Sequence, residues 1–481
     1  MIIFYFENQK ISKQFNYIIK TFSQIYHLSY MINSYQNVDA PDDSAMVISY
    51  GTSIPPWQNN HIHIYESKYF GEGYLTKRSL PKLPIGRYND LPVLYQGRSG
   101  VNEPFVYGRD NKIIINIDVI ASSFFMLTRY EEVVNDSTEI LDQHDRFPAT
   151  ASIAYKENFL NRPLVNEYFE LLWNCIKMLS PGLQRKPLWN GKDFALCLTH
   201  DVDSIRKYKP FSELLTLGSL VLKQRKPQKA ISSLADYLQV ALHKKNDPYD
   251  TFDQILSLEN KYGASSSFYF MTEPDYSGGY QLNSKKTLKI IERLKAANAE
   301  VGLHSGYYSY NNLGVFQEQK NNFTSTVNEK SPGCRQHFLR WKTPDTWRIQ
   351  EKCGIAYDAT LCYADYEGFR AGICHPFQPF DLLENRILNI WEIPLTIMDG
   401  TLSNYRNVAP IEGLSIVESY IETVKKYGGV MVLLWHNSFF DPDSYPGWTN
   451  IYENILACAA QEGALLTNAR DILKIYQPQR V

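Results

Sequence analysis

Several things are scarce in this chain. Its seven cysteines include no Cys-x-x-Cys pair and no tight cluster. That argues against a disulfide framework or a structural zinc knuckle, and points to reduced thiols in a cytoplasmic setting. No apolar run approaches the ~20 residues of a membrane-spanning helix. The opening "MIIFYFENQKISKQF" carries no basic segment before its short apolar run and no small-residue cleavage site, so it is expected to be a first strand rather than a signal peptide. Net charge is close to neutral at -2, which gives no electrostatic reason to expect nucleic acid as a partner. Internal repeats and low-complexity tracts are also missing.

What is present is a globular composition, 44% hydrophobic and 14% aromatic with 34 tyrosines. At 481 residues the chain is too long for one ordinary core, so two domains are expected. The stretch 180–193, "SPGLQRKPLWNGKD", holds two prolines and two glycines and is the best boundary. It separates a smaller α/β domain over 1–185 from a second domain over 190–481. The first mixes strands such as "MVISY" and "KIIINIDV" with helices in "ASSFFMLTRYEEV" and "VNEYFELLWNCIKML".

Beyond the boundary, seven β-rich runs alternate with helical stretches: "FALCL", "SSSFYFM", "EVGLH", "QHFLRW", "IAYDATL", "ILNIWEIPLTI" and "GVMVLLWH". Such alternation predicts parallel strands with covering helices, closed into a (β/α) barrel. Barrels of this kind carry their chemistry at the C-terminal strand ends. The polar residues fall there: His200, Asp201 and Asp203 after the first run, His304 after the third, His337 and Arg340 after the fourth. Asp358 and Asp365 follow at the fifth, Asp399 after the sixth and His436 after the last.

Asp201 and Asp203 stand two residues apart, so both point to one face of their strand. Two carboxylates that close need a cation. A divalent metal on Asp203 and His304 would relieve them and leave Asp201 free as a base. Zinc with Asp and His ligands and an open position is a hydrolytic arrangement. Arg340 is expected to pair with Asp201, and His436 to act as general acid.

These residues resemble motifs of the polysaccharide deacetylase family (carbohydrate esterase family four). "LTHDVD" resembles its first motif, in the Asp-x-Asp form of the branch containing peptidoglycan deacetylases and allantoinase-like proteins. "EVGLHSGYY" resembles the second, "RQHFLRWKTP" the third and "VLLWHNS" the last. "GIAYDATLCYAD" and "WEIPLTIMD" are similar to further stretches of that branch. The resemblance spans about 190–475 and implies a distorted (β/α)7 barrel that hydrolyses acetyl groups with a divalent metal, expected to be zinc. It places the catalytic base at Asp201, metal ligands at Asp203 and His304, Arg340 in the third motif, and the catalytic acid at His436. Tyr308, His337, Asp365 and Trp391 are expected to bind substrate.

One position departs from the family. Tyr308 stands where a second His or Asn ligand is usual, so a third ligand has to come from elsewhere, with His200, His337 and His375 as candidates, or the site holds no metal. The basic helical insertion 205–247 reads as a lid, as a foot on an anionic membrane surface, or as ordinary packed helices. In the N-terminal part, "ASSFFMLTRYEE" and "DQHDRF" resemble a domain of unknown function found before bacterial deacetylase domains. There His144, Asp145 and Arg146 form either a second polar site or a capped surface turn. Three functions stay open: a bacterial deacetylase of a surface-polysaccharide or peptidoglycan precursor, a metal-independent hydrolase of a small cyclic amide, and an inactive glycan-binding protein.

Overall fold

The computed structural model describes residues 2–35, 41–42, 45–98, 105–109, 112–135, 137–208, 227–242, 244–276 and 278–477. The chain opens with a six-stranded sheet in the order Tyr30–Ser34, Ile2–Phe6, Met46–Gly51, His61–Tyr65, Lys112–Ile115, Val106–Arg109. All neighbours are parallel except the last pair, which is an antiparallel hairpin. Period-two alternation sends Ile2, Phe4 and Phe6 to one face and Ile3 and Tyr5 to the other. On the first face lie the helices Ser12–Tyr26, Val119–Leu127 and Leu164–Leu179, joined by ring contacts such as Phe4–Phe22 and Phe22–Phe169. The helical run expected around 121–133 breaks at Arg129, whose φ of 51° starts a separate short helix, Tyr130–Val134.

The second sheet is a curled, wholly parallel one. Its strands are Phe194–Val202 (first), Ser267–Phe270 (second), Glu300–Ser305 (third), Gly333–Gln336 (fourth), Tyr357–Asp358 (fifth), Val430–Leu434 (seventh) and Ala464–Thr467 (eighth). The sixth is split. Trp391–Glu392 pairs with the fifth strand and Ile397–Met398 with the seventh. Pro394, which has no N–H to donate, sits where the chain changes partner. This one extended segment therefore closes the distorted barrel. The eighth strand was not expected; it pairs with the N-terminal half of the first, beside the second strand.

The barrel interior is filled by side chains. Tyr269 and Tyr357 point inward with their hydroxyls 3.1 Å apart. Gly302 makes room for them: a Cβ there would come within 2.6 Å of the Tyr269 ring. The expected helices at 251–262, 284–298, 346–353 and 413–427 appear as Phe252–Asn260, Lys285–Ala296, Asp345–Lys352 and Pro410–Tyr427.

Buried apolar side chains of the N-terminal sheet and of the barrel form one continuous cluster. The stretch 180–193 is itself docked, with Trp189 fully buried and its Nε1 donating to the Gly428 carbonyl at 2.8 Å. A buried ion network crosses between the two sheets' territories. Arg370 donates to both Glu132 oxygens at 2.9 Å, Arg129 donates to Glu131, Glu132 and the Tyr363 hydroxyl, and Thr343 adds a bond to Glu132. Of the insertion 205–247, the helix Pro227–Ala241 is seen. The lid and membrane-foot readings rest largely on 209–226, which lie outside the described residues. Among the described residues, no helix is long and apolar enough to cross a membrane.

Candidate active site

Strand parity decides which side chains meet at the barrel mouth. Thr199 and Asp201 share the inner face of the first strand, and Asp203 follows just beyond its end. His200 has the opposite parity. It lies under the covering helices, bonded to the Trp435 carbonyl at 2.6 Å and to Glu259 at 3.0 Å, and is not available as a ligand. Arg335, on the fourth strand, and His337, just beyond its end, share the inner face. The strand ends at Gln336, and a 3-10 turn follows with φ of 61° at Phe338 and 53° at Leu339.

His304, at the end of the third strand, approaches Asp203 Oδ1 with Nε2 at 3.2 Å and Asp201 Oδ2 at 3.8 Å. Its Nδ1 is 3.0 Å from the Arg335 carbonyl, which can only accept, so the Nδ1 proton is fixed there and Nε2 is turned to the carboxylates. His337 Nε2 stands 3.7 Å from the same Asp203 oxygen, and its Nδ1 is 3.4 Å from Asp275. Asp275 also accepts from the Tyr307 N–H.

Ligand atoms of Asp203, His304 and His337 lie within 4.8 Å of one another. Asp203 Oδ1 is buried and is approached by the His304 and His337 imidazole nitrogens, while Asp201 Oδ1 is buried with no hydrogen-bond partner among the described residues. Burial raises the Asp203 carboxyl, but the His304 hydrogen bond and the charges of His337 and His436 outweigh this and hold it well below the usual carboxylate range. One carboxylate oxygen and two imidazole nitrogens, each imidazole braced from behind by an oxygen, could together hold a metal ion.

His436 follows the seventh strand. Its Nδ1 is 2.7 Å from Asp399 Oδ1, and Asp399 Oδ2 accepts its backbone N–H at 2.5 Å. Its Nε2 faces Asp203 Oδ2 at 3.7 Å. Burial lowers its pKa, but the Asp399 charge and hydrogen bond, with Asp203 and Asp201, bring it up to about 10. Asp201, Asp203, His304, His337 and His436 line a cavity of about 210 Å³, walled by Phe338, Leu339, Met398, Phe439 and Tyr445.

Other expectations need correction. Arg340 does not contact Asp201. Its Nε donates to the His144 carbonyl at 2.8 Å and its Nη1 to the Tyr307 carbonyl at 2.7 Å, while Nη2 pairs with Asp145. The arginine beside Asp201 is Arg335, whose Nε lies 3.6 Å from Oδ1. Parity with His337 was the signal that could have found it.

Of the expected substrate-binding residues, only His337 lines the cavity, and it stands with the metal-type donors. Tyr308 is 58% exposed. Asp365 accepts the Ala149 N–H at 3.1 Å. Trp391 packs edge-on against Tyr476. His375 is buried against Asn166 and the Gly428 carbonyl. Asp358 is held by Thr360 and Gln350, and burial pushes its pKa up to about 6. The "DQHDRF" stretch does not form a separate site, because Arg146 lines this same cavity.

Residues 2–181 match a family of unknown function, DUF7033. No curated protein matches the chain. Among solved structures, a Mycobacterium smegmatis protein assigned as a polysaccharide deacetylase is similar at 14% identity and a TM-score of 0.40, covering 61% of this chain and 94% of that one. A mutant of a pseudoenzyme of carbohydrate esterase family four is similar at 11% identity and 0.32, covering 60% and 68%. The chitin deacetylase of the fungal pathogen Colletotrichum lindemuthianum is similar at 10% identity and 0.31, covering 61% and 91%. Likeness this remote leaves the chemistry to the residues themselves.

Proposed function

We propose that the chain is a metal-dependent hydrolase that removes acetyl groups from an N-acetylated carbohydrate, a surface-polysaccharide or peptidoglycan precursor. The observation that carries this reading is the convergence of His304 and His337 on one buried oxygen of Asp203, with Asp201 and the His436–Asp399 pair close by. Asp203, His304 and His337 would hold the ion. A divalent ion bound there would supply Lewis acidity toward the acetyl carbonyl.

Asp201 takes the proton of the attacking water. Arg335, buried beside it, keeps a positive charge against that carboxylate. The amide C–N bond then breaks. His436, oriented by Asp399, gives its Nε2 proton to the leaving nitrogen, so that acetate and a free amine depart. His337, just beyond the fourth strand, offers a third donor in place of residue 308, which favours the metal-dependent reading over the cyclic-amide one.

The test is metal content and acetate release on the full chain. After incubation with zinc and desalting, elemental analysis should find one ion per chain, and Asp203→Ala should lose it while staying folded. Asp201→Asn should keep the ion and lose ~10²–10⁴-fold in acetate release from N-acetylated oligosaccharides. A wild-type chain that takes up no metal would overturn the proposal.

A further inference from the structure

Among the described residues, none of those lining the cavity comes from 340–397, although the fifth strand ends in that stretch and would be expected to contribute to the mouth. The loop after the fifth strand is engaged elsewhere: Asp365 accepts from Ala149, Tyr363 from Arg129, and Tyr366 meets Tyr155. All three partners belong to the N-terminal region. In return, that region sends Arg146 into the cavity. Its Nη1 donates to the Phe338 carbonyl at 2.7 Å, on the turn after the fourth strand. Its Nη2 donates to the Tyr405 hydroxyl at 3.1 Å, in the π-helix Thr401–Tyr405 after the sixth strand. Arg146 thus bridges two loops on either side of the fifth-strand sector and occupies the place that loop leaves open.

The arrangement is built rather than incidental. The side chain of Arg146 is 6% exposed, and Asp142 holds it through Nε and Nη2 at 2.8 Å. The 142–146 loop is itself clamped by Arg340 through the His144 carbonyl and Asp145, and by the Tyr307 hydroxyl 3.0 Å from His144 Nδ1. Three of the five guanidinium N–H groups donate, to Asp142, Phe338 and Tyr405, and Nη2 also stands 2.8 Å from Asp142 as an ion pair. Nη1 makes one of these bonds, and its second proton has no hydrogen-bond partner among the described residues. Arg146 is the sole Arg or Lys among the described cavity residues.

We propose that Arg146, contributed by the N-terminal region, is a substrate-binding residue that donates to an oxygen of the sugar unit carrying the acetyl group. This rests on the carbohydrate reading above. The acceptor is either a hydroxyl or a carboxylate substituent of that unit; both offer the same lone-pair chemistry to the free N–H.

Calorimetry on the metal-free full chain tests it, with N,N′-diacetylchitobiose as a neutral probe and N-acetylmuramic acid as a carboxylate-bearing one. Arg146→Gln should weaken binding at least tenfold. Arg146→Lys, which keeps the charge but not the fork, should fall between and guards against a variant that fails to fold. A loss confined to N-acetylmuramic acid assigns the carboxylate; an equal loss on both assigns a hydroxyl. Unchanged affinity in both variants, or no binding of either probe to the wild type, overturns the inference. Zinc content and acetate release measured on zinc-loaded portions of the same preparations report separately on the proposed function.

Discussion

The Arg335 guanidinium, fully buried, lies 3.6 Å from Asp201 Oδ1, too long for a hydrogen bond but close enough to set the field at that carboxylate. Its Nη2 is anchored on Thr199 at 2.9 Å and its carbonyl fixes His304. Arg335→Gln should therefore cut acetate release by an amount approaching the ~10²–10⁴-fold of a lost general base, with metal retained. Arg340→Gln should act differently. It leaves the buried His144 and Tyr307 carbonyls short of a donor, at about 1–3 kcal/mol each, so it should lower the unfolding free energy before it touches zinc content. Elemental analysis and urea unfolding of both variants separate the two roles. Equal metal loss in both would contradict the assignment.

The third metal ligand is expected to be His337 and not residue 308. His337→Ala should reduce zinc uptake at least ~10-fold, the scale seen when support around a metal site is lost. Tyr308→Ala, at an exposed position, should bind zinc as the wild type does. Zinc titration against a chromophoric chelator reads both.

Asp399 acts on His436 through two bonds, one to Nδ1 and one to the backbone N–H. Asp399→Asn keeps the shape but weakens the hold on the protonated ring. kcat should fall by a large part of the ~10²–10⁴-fold a general acid contributes, while KM changes little. A mutant that loses KM alone would place Asp399 in binding instead.

The Glu132 network predicts an acid-sensitive contact between the N-terminal region and the barrel. Burial raises this carboxyl, but Arg370 and Arg129 outweigh it and bring its pKa down from 4.5 to about 2. A depressed carboxyl stabilises the fold above its unfolded pKa, and that contribution disappears as pH falls from about 4.5 to about 2. Glu132→Gln should be less stable than wild type by on the order of 3 kcal/mol near neutral pH, with the gap closing toward pH 2. Unfolding free energies across that range check the slope; a gap independent of pH would remove Glu132 as its source.

The parallel barrel was legible in the sequence because its strands are buried on both sides and read as short continuous apolar runs between helical patterns. "FALCL" and "VMVLL" are of this kind, and Phe194–Val202 and Val430–Leu434 are buried throughout. Asp201, Asp203, His304 and His436 were equally visible, as charged groups abruptly ending such runs. The sequence also excluded a spanning helix. It did not reveal where the fourth strand stops. Two left-handed residues, Phe338 and Leu339, end it early, and Arg340 leaves the mouth while Arg335, hidden inside the strand, faces Asp201. Nor could linear order show that the fifth-strand loop is taken up by the N-terminal region, or that Arg146, far upstream, stands beside His337 and Tyr405 at one cavity. Local pattern reports which face and which end of an element a residue occupies. Which elements share a mouth depends on the register of distant strands and the packing of the two sheets, and only the folded chain decides that.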